Sequence, residues 1–227
     1  VLVVVLWFAS MLQIQVGFAN NIPVNSAKLT VYRGCVLSGT IAASTAMFES
    51  GVSQAAPATN TGAAATMLVR SSGAVNQRAY IRYDLTKCTP NIPASATVSN
   101  ATLRIWVTTL ATACRTQDVF PATAAWTEAA ITWNNQPFGT ALNSPASGTR
   151  TDGVNVGAAV CTYSVAGYVN WNVTADVVKF VAGTMTNNGW MIRDDVEASA
   201  TARTNTYGTS DVASVPQAPQ LVVNYAT

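Results

Sequence analysis

The stretch "NQRAYIRYDL" (residues 76–85) decides the fold class. Ala79, Ile81, Tyr83 and Leu85 fall on one side, while Arg78, Tyr80, Arg82 and Asp84 fall on the other. A period of two is the signature of a strand with one face turned to a core. "ATLRIWV" (101–107) repeats the pattern, with Ala101, Leu103, Ile105 and Val107 set against Thr102, Arg104 and Trp106. "QLVVNYA" (220–226) places Leu221, Val223 and Tyr225 together near the end of the chain. Apolar strand faces need a second layer, so the pattern predicts an all-β sandwich.

One segment departs from this period. "NVTADVVKFVAG" (172–183) sets Val177, Phe180 and Val181 on a helical face. Thr174 is expected to cap its start, Asp176 to favour the first turn, and Gly183 to end it. "SQAAPATNTGAAAT" (53–66) and "TALNSPASGTRTDGVNVGAAV" (140–160) read as loops or irregular edges. Neither is a linker, so residues 26–227 are expected to form one β domain. A hydrophobic segment, residues 1–25, precedes it.

Composition narrows the function. Twelve basic and ten acidic residues leave a net charge of +2, too small to suggest a nucleic-acid surface. With 49% hydrophobic residues, disorder is excluded as the general state. There is no histidine, which removes His-based nucleophile triads. The four cysteines, Cys35, Cys88, Cys114 and Cys161, lack the close CxxC pairs of a zinc site. Two disulfides are the better reading, and they imply an oxidising, extracellular compartment. Of the three pairings, the flanking of one strand by Cys88 and Cys114 favours 88–114 with 35–161.

The opening "VLVVVLWF" (Val1, Leu2, Val3, Val4, Val5, Leu6, Trp7, Phe8) begins a run without charge that lasts until Lys28. An export signal, a membrane contact through residues 1–20 and an assembly element buried by a neighbouring copy are the three readings. The β-branched run suits a strand slot in another subunit.

Five runs in a fixed order carry a resemblance. They are "NQRAYIRYDL", "IPASATVSNATLRIWV" (92–107), "WTEAAITWNNQP" (126–137), "WNVTADVVKFVAGTMTNNGWMIR" (171–193) and "YGTSDVASVPQAPQLVVNY" (207–225). Together they resemble the DNRLRE domain family of secreted and cell-surface proteins. That resemblance implies a jelly-roll-like β-sandwich with one short helix, related to carbohydrate-binding modules. It supports a fold and a compartment more than a ligand.

The function expected on these grounds is non-catalytic. It is an extracellular structural protein, a filament or pilus subunit that binds copies of itself through its opening segment. A carbohydrate-binding or adhesion module is the alternative, with surface glycans as partners. Trp106, Trp126, Trp133 and Trp190 are the candidate sugar-stacking residues, and core packing is the competing role for such large amphipathic rings. Alternation turns Trp106 away from the apolar face. Asp194, Asp195 and Glu197 in "RDDVEAS" (193–199) form the candidate calcium cluster, the one cofactor expectation. A glycosidase pair drawn from Asp84, Glu128, Asp176 and Asp194 competes with structural ion pairing and solvated charge.

Overall fold

The computed structural model describes residues 31–38, 46–212 and 217–227. The opening segment, Val1–Phe8 included, lies outside the described residues. Among those described, no helix is long and apolar enough to cross a membrane.

The chain is all-β, with one curled antiparallel sheet. Its strands are β1 (Tyr32–Ser38), β2 (Met47–Ser53), β3 (Thr66–Ser71), β4 (Gln77–Tyr83), β5 (Thr97–Thr109) and β6 (Arg115–Pro121). They are followed by β7 (Asp152–Val156), β8 (Gly167–Asn172), β9 (Trp190–Asp194), β10 (Arg203–Gly208) and β11 (Gln220–Ala226). The sheet runs β1-β11-β5-β10-β3-β4-β9-β6-β7, with β2 added to β4 and β8 added to β5. Residues Tyr32–Thr227 form one compact unit.

The alternating stretches behave as strands. Ala101, Leu103, Ile105 and Val107 of β5 are fully buried, and so are Leu221 and Val223 of β11. They share a core with Val169, Trp171, Val177, Trp190 and Tyr207. Each large side chain fully buried there contributes about 1.5–3 kcal/mol by leaving water.

β4 is not half-buried. Ala79, Ile81 and Tyr83 face the main core. Tyr80, on the opposite side, enters a second apolar cluster with Val52, Phe120, Trp126, Ile131, Trp133 and Met191. Arg78 is also fully buried on that side. Residues 122–142 lie over the polar-looking face and convert it into a second interior. Arg78 tolerates this because Glu197 meets it at 2.7 Å and neutralises it.

The helix, α1 (Thr174–Val181), begins one residue earlier than expected. Val173 occupies the cap position and makes no side-chain cap bond. Thr174 instead accepts a hydrogen bond from the Ala101 amide at 2.8 Å, so its hydroxyl fastens the helix to β5. Val177 is buried, Phe180 and Val181 pack on the core, and Gly183 follows with a left-handed φ of +70°. The tract 140–160, expected to be a loop, contains β7, a short strand whose Val154 and Val156 turn to the core on either side of the exposed Asn155.

The expected disulfide pairing is corrected. Cys35 joins Cys88, and Cys114 joins Cys161, each with a Cα separation of 5.6 Å. The 88–114 alternative fails because β5 has 13 residues between those cysteines. At roughly 3.3 Å per residue its ends stand about 40 Å apart.

Candidate functional site

The groove is built on two neighbouring strands. Phe48 of β2 stands directly across from Arg82 of β4. The Arg82 guanidinium lies 4.4 Å above the Phe48 ring and 5.9 Å from that of Trp126. Three open concavities of about 400, 450 and 380 Å³ share Arg82. Each falls within the roughly 300–1,000 Å³ common for ligand sites. Asp84, Thr86 and Asn187 line the first, Asn60 and Glu128 the second, and Trp126, Thr127 and Asn135 the third. Among the described residues Arg82 forms no ion pair, and its side chain lines all three concavities.

The walls are held by hydrogen bonds that the local sequence makes possible. Asn60 donates to the Glu128 carbonyl at 2.6 Å and to that of Ile131 at 2.8 Å. The Asn134 amide donates to the Pro57 carbonyl, which ties the two loops together. A β-carbon at Gly62 would lie 2.4 Å from the Glu128 carbonyl oxygen, so only glycine permits this approach. On the other rim, Trp126 donates from its indole to the Asn188 carbonyl at 2.8 Å. Asn187 donates to the Tyr83 carbonyl. Gly189 closes that turn at φ +72°, with space for no side chain against the Ile81 carbonyl.

Carboxylates gather beside the second concavity. Glu49 of β2, Glu128 and Asp211 each offer an oxygen within 4.8 Å of the other two. Glu49 is fully buried. Desolvation raises its pKa, against the opposing effect of hydrogen bonds from Ser210. The Glu128 carboxyl is pushed up to about 7, first by desolvation and then by the charges of Glu49 and Asp211.

The sequence model of carbohydrate-binding module family 96 matches residues 40–225. The chain belongs to that family. Comparison with curated proteins found no match. The family-96 match includes every groove residue and bears out the relationship to carbohydrate-binding modules that the motif order implied. It does not extend to the DNRLRE name.

Within this family-96 module the tryptophans divide. Trp126, Trp133 and Trp190 are at most 6% exposed and serve the two cores, so none presents an open face for stacking. Of these three, Trp126 borders the groove, in its third concavity. Trp106 is half-buried on the outer side of β5, edge-on to Tyr168 at 5.2 Å, with Arg104 above the Tyr168 ring. The expected acidic cluster is spoken for by arginines. Asp194 and Asp195 both pair with Arg115, and Glu197 pairs with Arg78. Those pairs engage one oxygen of each aspartate and both oxygens of Glu197. Two of the other carboxylates weighed as catalytic, Asp176 and Asp84, have structural partners as well. Asp176 accepts from the Trp190 indole and from Thr151, and Asp84 accepts from Thr86.

Sequence reasoning missed Phe48, Asn60, Glu49 and Asp211. Glu49 carried one signal, as an acid alone in "AMFESGVS" (46–53) between apolar neighbours.

Proposed function

We propose that this module binds a glycan, without catalysis, in the groove centred on Arg82. The family match across residues 40–225 carries the reading. The groove supplies matching chemistry. The flat guanidinium presents fixed donors to paired sugar oxygens. Phe48 backs it from below, and Asn135 and Asn187 each keep one amide hydrogen beyond their structural bonds for a sugar hydroxyl. Two disulfides fit an oxidising, extracytoplasmic setting in which such glycans occur. The filament expectation rests on Val1–Phe8, and the family match lends it nothing.

The test begins with the full chain on a glycan array. Calorimetry on the strongest hit then compares Arg82→Ala, Phe48→Ala and Trp106→Ala. The first two are expected to weaken binding at least tenfold, Arg82→Ala at unchanged melting temperature, and the third to leave it intact. A blank array would overturn the proposal. So would a glycan whose affinity ignores Arg82 and Phe48.

A further inference from the structure

We infer that Glu49, Glu128 and Asp211 form a binding site for a divalent cation of the calcium class. Three segments far apart in sequence converge here. β2 supplies Glu49, the 126–135 segment supplies Glu128, and the turn after β10 supplies Asp211. Two oxygens on opposite sides of a calcium ion stand about 4.6–5.2 Å apart. All three carboxylate oxygens lie within 4.8 Å of one another, close enough for one ion of that size to reach them together. All donors are hard oxygens, the ligand set of calcium rather than of zinc or copper.

A second observation is independent of the clustering. Glu49 is 0% exposed, and its Oε2 atom has no hydrogen-bond partner. Its other oxygen, Oε1, accepts from the Ser210 amide at 2.7 Å and from the Ser210 hydroxyl. Ser210 precedes Asp211, so this bond fixes the carboxylate against the third ligand's turn. A buried carboxylate oxygen without a partner is costly unless the group takes up a proton or a cation meets it. Among the described residues none of the three acids forms an ion pair with lysine or arginine. This contrasts with Asp194, Asp195 and Glu197, where arginines complete the charge.

The site is preorganised by contacts already described. Asn60 holds the Glu128 backbone, and Gly62 lets the facing loop approach it. A bound ion would join β2, the Glu128 wall and the 209–212 turn. It would therefore fix one side of the groove, but the inference stands apart from the glycan reading.

The experiment uses the full chain stripped with EDTA and no sugar present. Calcium chloride is titrated by calorimetry, and melting is recorded with and without the ion. Binding is expected, with a rise in melting temperature of about 5–10 °C at a hundredfold excess over Kd. Glu128→Gln and Asp211→Asn should each weaken calcium binding at least tenfold. Asp211 is exposed, so its variant retains the calcium-free melting temperature and separates lost ligation from lost folding. A stripped wild-type chain that gives neither heat nor a melting shift would overturn the site. Wild-type affinity in both variants would do so equally, whatever the glycan array shows.

Discussion

Replacing Glu197 by alanine is expected to destabilise the fold by about 3–5 kcal/mol, because it strands a buried charge. The Glu197 carboxylate accepts from Arg78 Nε at 2.7 Å and from Nη2 at 2.8 Å, and from the Asn143 amide at 2.6 Å. After the substitution Arg78 keeps only neutral acceptors: Gln136 Oε1, the Gly139 carbonyl and the Ala141 carbonyl. The guanidinium stays fully buried beneath residues 122–142 with nothing to balance it. For a domain of this size the loss corresponds to a fall in melting temperature of about 6–20 °C. Urea unfolding should show a lower midpoint at an unchanged slope. Glu197→Gln, which keeps an acceptor, should lose less. The double variant Arg78→Met with Glu197→Leu should recover most of the stability, since a well-packed apolar pair replaces the ionic one. A loss under about 1 kcal/mol in Glu197→Ala would refute the reasoning, as would a double variant no better than the single one.

Two further expectations concern covalent and titrating groups. Peptide mapping without reduction should recover Cys35 linked to Cys88 and Cys114 linked to Cys161. Removing either bridge should lower stability by about 2–5 kcal/mol, and a Cys88–Cys114 peptide would contradict the topology. In calcium-free buffer, stability should decline as pH rises from the usual glutamate value of 4.5 to about 7. The Glu128 carboxyl is raised in the fold, so the native state holds more protons than the unfolded chain in that window. Its contribution is present at the acid end and lost toward neutrality. Glu128→Gln should flatten the slope of melting temperature against pH. A wild-type melting temperature that climbs from pH 5 to 7, or an unaltered slope in the variant, contradicts this assignment.

The sequence was legible where burial follows a simple period. Residues 101–107 and 221–225 have one apolar face each, and the structure buries that face. It was less legible where two interiors meet. Arg78 and Arg82 share a side of one strand and look alike in the alternation. One is enclosed by the 122–142 segment and neutralised by Glu197, and the other stands in the groove. Only the path of a distant loop separates them. The same holds for the acids. Glu197 looked like a calcium ligand because it sits in an acidic run, yet a buried arginine claims it. Glu49 looked unremarkable because Glu128 and Asp211 reach it from remote positions. β2 escaped notice because glutamate, serine and glycine interrupt its apolar positions, and β7 because two valines are too short a run to mark a strand.

The two bridges have a bearing on digestion in a protease-rich medium. One loop of the groove, residues 57–64, lies between Cys35 and Cys88. The facing segment, residues 122–139, lies between Cys114 and Cys161. A single cut in either wall therefore releases no fragment, because both sides of the cut stay tethered through sulfur. Either wall can be nicked while its strand supports stay attached, so the surface that meets a ligand can outlast the continuity of its backbone.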